Sequence, residues 1–111
     1  MKKTILIDLD GVLNSYKGDY KKDYIHPPKP ETEKFLKNIS KHYEIKIFTT
    51  RNKLLASKWV VENGFDKYIS DVTNIKENAT YLFIDDRCIC FEGDYDKLET
   101  LISSYKTYWS N

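Results

Sequence analysis

Asp8 and Asp10 stand one residue apart at the end of an apolar run, and Gly11 follows them. Paired carboxylates at the carboxyl end of a strand suit a hard divalent cation such as Mg²⁺. They also suit a division of labour, with one carboxylate as nucleophile and the other as general acid and base. The two converge if the chain turns after Asp8, and Gly11 permits that turn. Alone, the stretch reads as an ordinary Asp-rich turn, because turns favour Asp and Gly. Two later groups change the reading. Thr49-Thr50-Arg51 and Asp85-Asp86 each end another apolar run.

The elements that must position these groups follow from periodicity. An apolar run predicts a first strand over residues 4–9. Residues 14–30 lack a period and read as a flap. The flap has a short hairpin at Gly18-Asp19 or a single helical turn, and it ends in the stiff segment His26-Pro27-Pro28-Lys29-Pro30. Phe35, Leu36, Ile39 and Tyr43 recur at helical spacing, predicting a helix over 31–42 with acidic residues in its first turn. A second strand is expected at 44–49. A second helix over 53–63, opened by Arg51 or Asn52, buries Leu55, Trp59 and Val60 and stops at Gly64. Further strands are expected at 68–70 and 81–84, with a short one at 88–91. The last helix, 94–106, carries Tyr95, Leu98, Ile102 and Tyr105 on one face.

This alternation predicts an α/β chain with a three-layer Rossmann-like fold, a mainly parallel central sheet and right-handed crossovers. Ligands of such sheets bind at the carboxyl ends of the strands. Asp8 and Asp10, Thr49-Thr50-Arg51 and Asp85-Asp86 would then share one edge, although they are distant in sequence.

The chain has 111 residues, the size of one domain spanning 1–111. Hydrophobic content of 41% and charged content of 32% fit a globular protein. A net charge of +1 argues neither for nucleic acid nor for acidic partners. No apolar run is long enough to cross a membrane, and Asp8 and Asp10 interrupt any signal-peptide core. Cys88 and Cys90 are too close for an unstrained disulfide and lack companion zinc ligands. They are expected to be reduced and mostly buried, in a cytoplasmic protein.

Taken together, the residues resemble the haloacid dehalogenase (HAD)-like hydrolases, a superfamily of aspartate-nucleophile phosphatases and phosphotransferases. Asp8-Leu9-Asp10-Gly11-Val12-Leu13 is similar to the family's first motif, and Ile47-Phe48-Thr49-Thr50-Arg51 to its second. Ile84-Asp85-Asp86-Arg87 is similar to the fourth, and Lys76 stands where the third motif has its lysine. More narrowly, the spacing resembles small phage and bacterial members related to 5'-deoxyribonucleotidases.

The resemblance implies roles. Asp8 attacks phosphorus and forms an aspartyl-phosphate, while Asp10 serves as general acid and base. Thr49 donates a hydrogen bond to a phosphoryl oxygen. Lys76 pairs with Asp8 and the phosphate, with Lys53 and Lys67 as the alternatives. Gly11 and Thr50 help bind substrate. Arg51 contacts substrate or holds the acidic side by an ion pair. Mg²⁺ is held by Asp8, Asp10 (through its backbone carbonyl) and Asp85, with Asp86 a further ligand or an orienting group.

Too few residues follow Asp10 or Thr49 to build the inserted cap of many relatives, so the chain reads as capless. The expected activity is Mg²⁺-dependent hydrolysis of a phosphomonoester, either a nucleotide or a nucleic-acid terminal phosphate. An open site also accommodates closure by a second copy, a homo-oligomer. Tyr16, Tyr20 or Tyr24 either stacks on a base, beside Lys17, Lys21 and Lys22, or packs on the domain. Tyr105, Tyr108 and Trp109 either dock on the sheet edge or form a dimer contact. The competing reading is a non-catalytic Mg²⁺- and phosphoryl-binding module on the same scaffold. Intact Asp8 and Asp10 favour the enzyme.

Overall fold

A computed structural model describes residues 1–110. The chain runs β1 (Lys3–Asp8), α1 (Thr32–Ser40), β2 (Tyr43–Phe48), α2 (Lys53–Glu62), β3 (Ile69–Thr73), β4 (Thr80–Ile84) and α3 (Tyr95–Ser104). The strands form one all-parallel sheet in the order β3-β2-β1-β4. This is the Rossmann-like α/β arrangement, with β1 at the centre and the ends of β1, β2 and β4 at one edge.

Register explains the core. Ile5 pairs with Ile45, and Ile7 with Ile47. These four side chains face α1 and α2, meeting Leu36, Ala56, Trp59 and Val60. Each buried side chain of this size contributes about 1.5–3 kcal/mol. On the opposite face Leu6 is in register with Lys46 and Phe83. There Lys46 pairs with Glu77 at 3.1 Å, from the segment linking β3 to β4.

The helices follow their caps. The Asn52 side chain accepts from the backbone N–H groups of Leu54 and Leu55, which starts α2. At its end the Gly64 N–H reaches the Val61 carbonyl and the Phe65 N–H reaches the Val60 carbonyl, a Schellman cap that needs the positive φ of Gly64. In α1, Leu36 and Thr32 are buried, whereas Phe35 is turned outward.

Three expectations change. Residues 88–91 form no strand. Cys88 and Cys90 are free, as expected, but exposed rather than buried, because the chain leaves the sheet after Ile84. Helix α3 buries none of its residues, and Tyr95 and Ile102 stay exposed. Its apolar face is not buried against the sheet, and Tyr81, Leu82 and Phe83 of β4 stay exposed as well. No helix among the described residues is long and apolar enough to cross a membrane.

Candidate active site

Strand β1 ends at Asp8, and the chain enters a wide turn over Leu9–Leu13. Leu9 and Leu13 anchor the turn in the core. Gly11 takes φ +88°, which L side chains rarely adopt. A Cβ on Gly11 would also meet Asp86 Oδ2, so any larger residue here must push the Asp86 carboxylate aside. Asn14 closes the turn from inside. It is fully buried, its Oδ1 accepts from the N–H groups of Gly11 and Tyr16, and its Nδ2 donates to Asp10 Oδ1 at 3.0 Å.

The turn brings Asp8 and Asp10 to one cleft of about 420 Å³. Thr49 and Thr50 line it from the end of β2, and Asp85 and Arg87 from the end of β4. Tyr16, Tyr20 and Phe48 supply aromatic walls. Thr49 is nearly fully buried, and its Oγ1 accepts from the Arg51 N–H at 3.1 Å.

Asp8, Asp85 and Asp86 each offer a carboxylate oxygen, all within 4.8 Å of one another. Such crowding is costly without a cation. Burial, followed by the charge of Asp85 and then the contact with Asp86, pushes the Asp8 carboxyl up to about 8. Asp86 Oδ1 is shielded from solvent and has no hydrogen-bond partner among the described residues. A hard divalent cation satisfies both features, with oxygen ligands of the kind Mg²⁺ takes.

Asp10 is held separately. Arg51 Nε donates to its Oδ2 at 2.7 Å and Nη2 to its Oδ1 at 3.1 Å. The guanidinium also donates to the Lys21 carbonyl at 2.8 Å and lies 4.5 Å from the Tyr20 ring centroid. Arg51 therefore ties Asp10 to the flap, and not to the Asp85-Asp86 side.

The structure does not bring Lys76 to this cleft. Its ammonium lies over the Phe83 ring at 5.4 Å, on the short link between β3 and β4. Lys67 pairs with Glu33, away from the cleft, and Lys53 is exposed at the start of α2. Arg87 is the cation lining the cleft among the described residues. His26 packs between Tyr16 and Tyr24 and pairs with Asp19 at 3.0 Å.

Two contributors escape sequence reasoning. Asn14 follows Asp10 by four residues, so a polar residue closing the turn was the available signal. Trp109 donates its indole N–H to Asp86 Oδ2 at 2.6 Å. Nothing in its spacing marks that contact.

The sequence profile of the NLI interacting factor-like phosphatases matches residues 3–97. No curated protein is significantly similar in sequence. Among solved structures, a conserved protein from Bacteroides thetaiotaomicron superposes with a TM-score of 0.61 at 18% identity, over 97% of this chain and 95% of that one. That likeness concerns the fold.

Proposed function

The chain belongs to the NLI interacting factor-like phosphatases, a HAD-like family, and from that premise we propose that it hydrolyses phosphomonoesters through an aspartyl-phosphate on Asp8. The observation that carries the reading is the convergence of Asp8, Asp10 and Thr49 in one cleft beside the Asp8, Asp85 and Asp86 oxygens.

In the first half-reaction an Asp8 carboxylate oxygen attacks phosphorus, and the P–O bond to the alcohol breaks. Asp10, aimed by Arg51 and Asn14, gives its proton to the departing alkoxide. In the second, Asp10 takes a proton from water, which attacks the phosphorus and frees phosphate and Asp8. Thr49 and Arg87 line the cleft, where their hydroxyl and guanidinium would donate to the phosphoryl oxygens. Asp8, Asp85 and Asp86 would hold Mg²⁺, and the backbone carbonyl of Asp10 is the further ligand that the family resemblance implies. When bound, Mg²⁺ offsets the negative charge between nucleophile and substrate.

The site is capless in this reading: residues 49–52 alone separate β2 from α2, and the flap is the cover after β1. The aromatic walls beside the phosphate position favour a nucleotide or a nucleic-acid terminal phosphate. The test is phosphate release from deoxynucleoside monophosphates, DNA ends and sugar phosphates, with and without Mg²⁺, for wild type, Asp8→Asn and Asp10→Asn. Metal-dependent turnover that both variants lose supports the proposal. A folded, Mg²⁺-binding protein silent on every ester would move the reading to a non-catalytic binding module.

A further inference from the structure

The segment after α3 is not a free tail. It lies across the turn that carries the site. The Tyr105 hydroxyl donates to the Asp86 carbonyl at 2.7 Å. The Tyr108 hydroxyl donates to the Gly11 carbonyl and accepts from Lys29 Nζ at 2.8 Å. The Trp109 indole donates to Asp86 Oδ2 at 2.6 Å. Its ring packs edge-on against Tyr16 and beside Gly18 of the flap.

We propose that Trp109 is a positioning residue for the metal-binding carboxylate of Asp86, setting which oxygen is left for the cation and coupling that choice to the flap. The inference rests on the phosphatase reading of the same cleft. The geometry is specific. Asp86 has two carboxylate oxygens. One is engaged by the indole and lies against Gly11, in the space a Cβ would take. The other is shielded and unpaired, in a residue whose carboxylate groups with those of Asp8 and Asp85. An indole N–H only donates, so it matches an ionised carboxylate and cannot itself ligate a cation. Outer hydrogen bonds of this kind orient ligating groups, and losing one lowers metal affinity about 10–100-fold.

The experiment is Mg²⁺ binding to the full chain by titration calorimetry, comparing wild type with Trp109→Phe. Phenylalanine keeps an aromatic ring and removes the donor. The expected result is Mg²⁺ affinity weakened about tenfold or more, in a variant that still unfolds cooperatively without metal. A second readout needs no variant. The chain has two tryptophans, and the Trp59 indole donates instead to the His26 carbonyl, beyond the acidic cluster. Adding Mg²⁺ to wild type is expected to move the Trp109 indole N–H resonance and leave that of Trp59 in place. Unchanged affinity in Trp109→Phe, or an unmoved Trp109 resonance while Mg²⁺ binds, overturns the inference and leaves the phosphatase reading intact. Failure of wild type to bind Mg²⁺ removes both.

Discussion

Arg51 holds Asp10 in a two-point grip, with Nε to Oδ2 at 2.7 Å and Nη2 to Oδ1 at 3.1 Å, and the same guanidinium reaches the flap at the Lys21 carbonyl. The Arg51 side chain is only 1% exposed and that of Asp10 18%, so the pair is largely removed from water. The fork fixes the direction of the general acid and the position of the flap together.

Removing Arg51 leaves both Asp10 oxygens and the Lys21 carbonyl without their donor in a site largely closed to water. Arg51→Ala is expected to cost about 3 kcal/mol in denaturant unfolding and to lower kcat at least a hundredfold. Arg51→Lys restores little of either, because an ammonium cannot reproduce the planar two-point contact. A lysine variant with wild-type kcat would contradict this role.

Asp8 makes the metal-free protein sensitive to pH. Its carboxyl is raised from 3.8 to about 8 in the folded chain. Between those values the folded state keeps a proton that the unfolded state has lost, so stability falls as pH rises through this window. Asp8→Asn is expected to melt at least about 4 °C above wild type near pH 8 without metal, with the gap closing near pH 4. Mg²⁺ should raise the wild-type melting temperature more near pH 8 than near pH 5, where protons compete with it. Equal pH profiles for the two proteins would count against the crowded carboxylates.

Gly11 is constrained twice, by φ +88° and by the Asp86 oxygen in the place of a Cβ. Gly11→Ala is expected to destabilise the chain by about 1–3 kcal/mol and to weaken Mg²⁺ binding as Asp86 is displaced. The paired readout is denaturant unfolding with Mg²⁺ calorimetry. Normal metal affinity in this variant would show that Asp86 is free to move.

Arg87 lines the cleft, whereas Lys76 lies over Phe83. Arg87→Ala is expected to lower kcat/KM at least tenfold, the loss of one charge-assisted contact to phosphate. Lys76→Ala should stay within about twofold of wild type, as surface substitutions do. The reverse ranking in steady-state kinetics would return the site lysine to Lys76.

Much of this was legible from the chain. The run Ile5-Leu6-Ile7 and the alternation of Ile45, Lys46 and Ile47 read as strands, and the ends of β1, β2 and β4 bring Asp8, Thr49 and Asp85 to one edge. Asn52 and Gly64 bounded α2 by cap chemistry. Other features depend on tertiary placement. The face of α3 reads as amphipathic, yet the folded chain leaves it and the Tyr81, Leu82 and Phe83 side chains of β4 exposed. Lys76 fits a motif order, but the six residues 74–79 between β3 and β4 keep it beside Phe83. Arg51 offers the same donors to a substrate phosphate or to Asp10, and only the folded flap decides. The contact of Trp109 with Asp86 spans 23 residues of sequence without any period to announce it.

The most direct test of the central claim is to find the phosphoryl group on Asp8. The protein would be acid-quenched during turnover of its preferred ester with Mg²⁺, digested, and mapped by mass spectrometry. The account predicts phosphate on the peptide carrying Asp8, present only during turnover and absent from Asp8→Asn. Steady turnover with Asp8 never modified, or modification at another residue, would contradict it.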